Sequence, residues 1–266
     1  MALKSTNTNL HYVSWPAQNV LAFTTTRRSP FLTSNKSDKL SIFSSFNLGD
    51  HVGDKLENVI NNRNILLDSL PKEAVIQWFK QVHGNDVAII DSFSNKVVIA
   101  DAAITKKKNI ALAIMTADCL PILLSSKKGN EIAAIHAGWR PLVKNIISHT
   151  VNNMSAVSKD IVAWLGPCIG ADVFEVGEEV KAQFVQQSPT YEQAFILQET
   201  ISDNVEQHEK RKYLANLSLI AKLQLNQLGI FDINELPHCT FSRNQEYYSY
   251  RRDGQTGRMA TLICRK

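Results

Sequence analysis

At 266 residues, with 44% apolar and 20% charged side chains, the chain has ordinary globular composition and is long enough to bury a large core. A net charge of +4, from 29 Lys+Arg against 25 Asp+Glu, is too mild to imply a nucleic-acid partner, and no run approaches the ~20 apolar residues a membrane helix needs. The opening MALKSTNTNLHYVSW lacks the apolar stretch of a secretory signal, and the four cysteines lack paired spacing, so a reducing cytoplasm is the expected compartment.

In chain order, the runs VLAFTTT, AVIQWFKQV, VAIID, IALAIMT, PILLSS, EIAAIHA and IVAWLG read as strands. Several are continuously apolar rather than alternating, which predicts strands covered on both faces. Helices are expected between them. Residues 54–67 place Leu56, Val59, Ile60 and Leu67 at helical spacing. Residues 141–154 follow Gly138 and begin with Pro141, a residue favoured at a helix start. Residues 213–228 carry a broad leucine face and end at Gly229, a C-cap signal. The basic runs at Lys106, Lys107, Lys108 and at Lys127, Lys128 read as solvated turns. No repeat or linker divides the chain. The expected fold is α+β, a single domain over residues 1–266 with mixed β-sheets flanked by helices.

Three segments carry a metal-capable side chain beside a strand end: QVHG with His83, TADCLP with Cys119, and IHAGWR with His136. Glycine or proline follows each, letting the backbone turn so that the side chains face a shared cleft. Two imidazoles and one thiolate suit Zn2+, and three protein ligands leave a fourth position for water or substrate. The same donors also take copper. The plainer alternative is a pair of turn histidines and a small core cysteine.

QVHG, TADCLP, IHAGWR, GPCIG-x-x-x-FEVG and SYRRDG-x-TGRMA occur in this order, preceded by Asn47-Leu48-Gly49 and His51-Val52-Gly53-Asp54. Over residues 23–262 the chain resembles the multicopper polyphenol oxidase (laccase-domain) or YfiH family. That family includes purine nucleoside phosphorylase/adenosine deaminase homologues and the peptidoglycan editing factor. The resemblance implies a metal site on His83, Cys119 and His136. It also implies phosphorolysis of purine nucleosides and of 5′-methylthioadenosine, and deamination of adenosine. Small molecules (purine nucleosides and phosphate) are then the expected partners, with no nucleic acid or membrane, for a monomer or weak homo-oligomer.

Around the metal ligands, Asp118 either orients a ligand or moves a proton, or else stabilises a turn. Gln81, on the face of His83, offers an amide to a ligand or substrate. Asn47 offers hydrogen bonds to a ribose or base, or holds a turn. Arg140 binds phosphate or forms a surface ion pair. His51 lines the pocket, and Phe174 either stacks on a purine or belongs to the core. Cys168 reads as a loop cysteine. The aromatic and arginine residues of 247–258 fit either phosphate binding or a packed hairpin. The H-x-E…P-C-x-x-C signature of nucleobase deaminases is absent, so a deaminase would need another proton donor, Asp118 or Glu175.

Overall fold

The computed structural model describes residues 9–31, 42–198 and 211–266. Two sheets stack face to face. The first runs, in spatial order, Leu10–Tyr12, Val20–Thr25, Met259–Arg265, Ile110–Thr116 and Val75–Gln77, antiparallel except for its last pair. The second runs Asp232–Glu235, Ile161–Leu165, Leu120–Ser126, Ile132–Ala137, Ala102–Thr105 and Val87–Ile89, with parallel pairing only at its two edges.

Side-chain alternation explains the layering. Leu112 and Ile114 point into the sheet–sheet interface, where they join Leu123, Ala134 and Trp164 of the second sheet. Their neighbours Ala111 and Ala113 face the opposite way, toward Leu66 of the helix Leu56–Leu67. On the far side of the second sheet, Ile122, Leu124 and Ile135 pack against Ile146 and Ile147 of the helix Ile146–Asn153, and against Ile220 and Leu225 of the helix Leu217–Gln227. The result is helix, sheet, sheet, helix. All seven residues of Ile110–Thr116 and all six of Ile132–Ala137 are buried, which is why these strands lack a polar face. The fold is α+β, as the interleaved strand and helix patterns predict. Among the described residues no helix is long and apolar enough to cross a membrane.

Three expected elements are divided or displaced relative to the sequence reading. AVIQWFKQV is not one strand: Val75–Gln77 pairs with Ile110–Thr116, whereas Phe79–Lys80 pairs with Val98–Ile99. Residues 141–154 form two helices, Trp139–Val143 and Ile146–Asn153, because Asn145 between them is left-handed at φ 59. Pro141 therefore sits inside a first turn that begins at Trp139. The helix expected over 213–228 begins at Leu217, since the Asn216 side chain accepts from Leu219 N–H at 2.9 Å and caps it. Tyr213 lies on the strand Lys212–Ala215 instead. Gly229 adopts φ 79 just past that helix, the conformation its C-cap role requires.

Candidate metal centre and its cleft

The chain passes from the first sheet to the second at Ala117-Asp118-Cys119, between the strands Ile110–Thr116 and Leu120–Ser126. Asp118 makes that crossing at φ 95, a conformation that costs a non-glycine residue roughly 1–3 kcal/mol. Its carboxylate secures the crossing. Oδ1 accepts from Thr240 Oγ1 at 2.7 Å, and Oδ2 accepts from Ser249 Oγ at 3.0 Å and Arg251 N–H at 2.6 Å. Both oxygens are engaged, so the turn-stabilising alternative describes Asp118 better than proton transfer does.

The crossing delivers Cys119 to a point where two other elements converge. His136, 3% exposed, comes from the strand Ile132–Ala137. His83 comes from the loop after Phe79–Lys80, at φ 57. One ligand atom from each of the three lies within 4.8 Å of the others. The Cys119 Sγ and His83 Nε2 are 3.8 Å apart, and the two imidazoles meet edge to face with centroids 4.7 Å apart. An ion at ordinary Zn–N and Zn–S lengths keeps such ligand pairs about 3.6 Å apart, so this donor set fits a tetrahedral ion with little movement.

Asp101 organises the histidines, and nothing in the sequence marked it beyond a lone carboxylate inside the apolar stretch VVIADAAIT. It is fully buried. Its Oδ1 accepts from His136 Nδ1 at 2.8 Å and from the His83 N–H at 3.0 Å; its Oδ2 accepts from the N–H groups of Gly84 at 2.7 Å and Val82 at 3.1 Å. A carboxylate can only accept, so Nδ1 of His136 carries the proton and Nε2 presents its lone pair to the cluster. One carboxylate thus fixes one ligand's tautomer and the other ligand's loop.

The electrostatics follow from this packing. Burial alone would push the Cys119 thiol up, but the His136 charge and hydrogen bonds from both histidines hold it well below the usual thiol range. Burial would likewise lower His136, yet Cys119 and Asp101 raise it above the usual imidazole range. Each group thus favours the charged form of the other, and a lowered thiol pKa favours the thiolate form that a metal ion binds.

The cluster opens into a cleft of about 480 Å³ lined also by Gln81, Asp118, Arg140, Arg251, Arg258 and His51. The arginines differ. Arg140 is exposed and stacks over Trp139 at 4.5 Å, and its guanidinium has no hydrogen-bond or ion-pair partner among the described residues. Arg251 donates to the Glu175 carbonyl at 2.9 Å and lies over Phe174 at 5.2 Å. Arg258 is half-buried; burial lowers it, opposed by the negative charge of Cys119 and Asp118. Residues 247–258 are thus a packed segment that brings Arg251 and Arg258 to the cleft wall.

The contacts bear on several of the alternatives left open by the sequence. The Gln81 amide bonds at both ends to the backbone of Met115, at 2.8 Å each, so it splices the His83 loop to a strand rather than waiting for substrate. Asn47 is fully buried and not part of the cleft wall. It bonds Gly49, Asp54 and Arg258 N–H, a turn role in place of a ribose contact. Glu175 also lies off the cleft wall, with its carboxylate 3.4 Å from Lys212. Cys168 is buried, and that burial pushes its thiol up to about 12. Phe174 is both core and cleft, 8% exposed.

With this geometry in view the relatives are informative. Residues 25–266 match the family model described as "Multi-copper polyphenol oxidoreductase laccase". The chain belongs to this family. A Haemophilus influenzae protein named purine nucleoside phosphorylase is 40% identical over 246 residues, covering 92% of this chain and 94% of that one. The Escherichia coli protein named purine nucleoside phosphorylase YfiH is 39% identical over 223 residues, covering 83% and 86%. Among solved structures, a Neisseria meningitidis protein of family model DUF152 superposes with a TM-score of 0.84 at 36% identity, covering 97% of this chain and 99% of that one. The YfiH of Bacillus licheniformis gives 0.78 at 26% identity, covering 93% of each.

Proposed function

We propose that this chain is a zinc-dependent purine nucleoside phosphorylase, with His83, Cys119 and His136 as the metal ligands. The observation that carries the reading is the juxtaposition, in one cleft of about 480 Å³, of that donor set with the guanidinium groups of Arg140, Arg251 and Arg258. A nucleoside fits a cleft of this size, and arginine grips phosphate bidentately. The naming of the Haemophilus and Escherichia relatives supports the same reaction.

In phosphorolysis a phosphate oxygen bonds to C1′ of the ribose as the glycosidic C–N bond breaks. The bond's electron pair leaves with the base, which takes up a proton, giving free base and ribose 1-phosphate. Arg140 has the free guanidinium to receive the incoming phosphate, and Arg258 adds positive charge beside Cys119. Phe174 and Trp139 supply apolar wall for the base. The bound ion would supply Lewis acidity toward an oxygen ligand in its open position. Asp101 keeps that chemistry aligned by holding both histidines.

The reading extends to phosphorolysis of 5′-methylthioadenosine and to hydrolytic deamination of adenosine at the same centre. Zinc is the metal of choice over copper, because one Cys and two His with an open position match catalytic zinc sites. The chain has 7 His, spread widely, and the cluster offers one cysteine, a poor match to the several copper centres of a polyphenol oxidase. We read residues 1–266 as one cytoplasmic domain, a monomer or weak homo-oligomer acting on small molecules. Free cysteines among the described residues accord with a reducing compartment.

The test is product analysis of adenosine turnover with and without inorganic phosphate. Adenine and ribose 1-phosphate formed only with phosphate support the reading. Cleavage of an amide in a cell-wall precursor without phosphate would favour editing instead.

A further inference from the structure

Away from the cleft, a second set of donors converges where the edge strand Leu10–Tyr12 meets the loop that follows Asp232–Glu235. Nε2 of His11 is buried and has no hydrogen-bond partner among the described residues; the nearest acidic oxygen, Glu246 Oε2, is 3.6 Å away. His238 Nδ1 is 3.9 Å from that same oxygen. The two imidazoles stand perpendicular with centroids 5.4 Å apart, and the donor atoms of all three residues lie within 4.8 Å of one another.

We propose that His11, His238 and Glu246 form a second divalent-metal site, suited to zinc. Two imidazoles and a carboxylate are a recurrent zinc donor set, and three protein ligands leave room for water. The buried ring nitrogen of His11 has only a carboxylate oxygen 3.6 Å away in place of a hydrogen bond, and an ion between the two supplies what it lacks. The route in is open, since the Glu246 side chain is 38% exposed.

The surrounding groups accommodate the ion. Glu246 Oε1 pairs with Arg243 Nη1 at 3.1 Å and leaves Oε2 for the metal, so Arg243 orients the carboxylate. His238 Nδ1 now accepts from the Tyr247 hydroxyl at 2.8 Å and faces Arg243 Nη1 at 3.4 Å. A bound ion takes over that lone pair: the Tyr247 hydroxyl can rotate its proton away, and Arg243, still paired with Glu246 Oε1, need only turn from the His238 ring. The loop 238–251 also supplies Thr240, Ser249 and the Arg251 N–H to Asp118. An ion at this second site would tie the Leu10–Tyr12 strand to the segment that braces the turn before Cys119. Its expected contribution is structural.

The experiment is a titration of metal-stripped full-length protein with Zn2+ alone against a chromophoric chelator. Wild type should take up two equivalents, and His11→Ala and Glu246→Gln one each. Cys119→Ala should also take up one, and Cys119→Ala with His11→Ala none. Circular dichroism confirms folding, and Glu246→Gln carries the test if His11→Ala does not fold. Uptake by the folded His11 or Glu246 variant equal to that of wild type overturns the proposal. The Cys119 centre is removed by a separate substitution, so failure of that assignment leaves this comparison intact.

Discussion

Asp101 Oδ1 sits 2.8 Å from His136 Nδ1 and, through the same oxygen, accepts the His83 backbone N–H at 3.0 Å. A single buried carboxylate therefore sets the ring orientation of one ligand and the loop position of another. Asp101→Asn keeps the volume but loses the charge and some of the acceptors. We expect zinc affinity to fall about 10–100-fold, the range typical for groups that orient metal-bound histidine. Competition titration checks this; an unchanged affinity would mean that the histidines are held by other contacts.

The same carboxylate predicts a pH dependence. Burial would raise its pKa, but the bonds from His136, Gly84 and Val82 outweigh burial and hold it below the usual carboxylate range. The folded value thus lies below the unfolded one, about 3.9. The stabilisation is fully present above the unfolded value and is lost as pH falls through the folded one. Metal-free wild type should lose Tm more steeply below about pH 4 than Asp101→Asn does. Parallel acid slopes would contradict this.

Gly138 is needed for space. A Cβ built there would lie 2.8 Å from Cys119 Sγ and 3.5 Å from His83 Cδ2, while its backbone (φ −66) would accept any residue. Gly138→Ala should leave Tm of the metal-free protein nearly unchanged while weakening zinc binding and activity together. Full zinc affinity in that variant would show that the thiolate has room to move.

Asp118 separates a structural from a catalytic role. Asp118→Ala strips three donors of a buried, charged acceptor and removes the brace from a left-handed turn. The expected loss is about 3 kcal/mol of stability or more. A proton-transfer role predicts instead an unchanged Tm and a collapsed kcat.

Arg140 is the counter-example on the cleft wall. Its guanidinium has no hydrogen bond or ion pair to lose, only an exposed stack on Trp139, so Arg140→Ala should change stability by no more than about 0.5 kcal/mol. The effect should appear as a raised KM for phosphate. An unaltered phosphate KM would remove Arg140 from the site.

The layering was legible in the sequence because continuous apolar runs such as IALAIMT have no polar face to give to water. The helix boundaries were not. They depend on single side-chain bonds, as with the Asn216 cap, or on one backbone conformation, as at Asn145. In the cleft, the strand-end motifs with Gly138 and Pro121 after the donors pointed to three residues that do converge. Asp101 was illegible because a buried carboxylate looks like any aspartate until its four donors are seen. The sequence left the roles of Gln81 and Asn47 open for the related reason that their amides bond to groups distant in sequence or hidden in a turn.

The most direct measurement of the central claim compares wild type with Cys119→Ala for zinc content and for adenosine turnover with and without phosphate. The account predicts that the variant lacks one equivalent of zinc and releases no adenine, while wild type releases adenine only when phosphate is present. Equal zinc and equal turnover in the two proteins would contradict it.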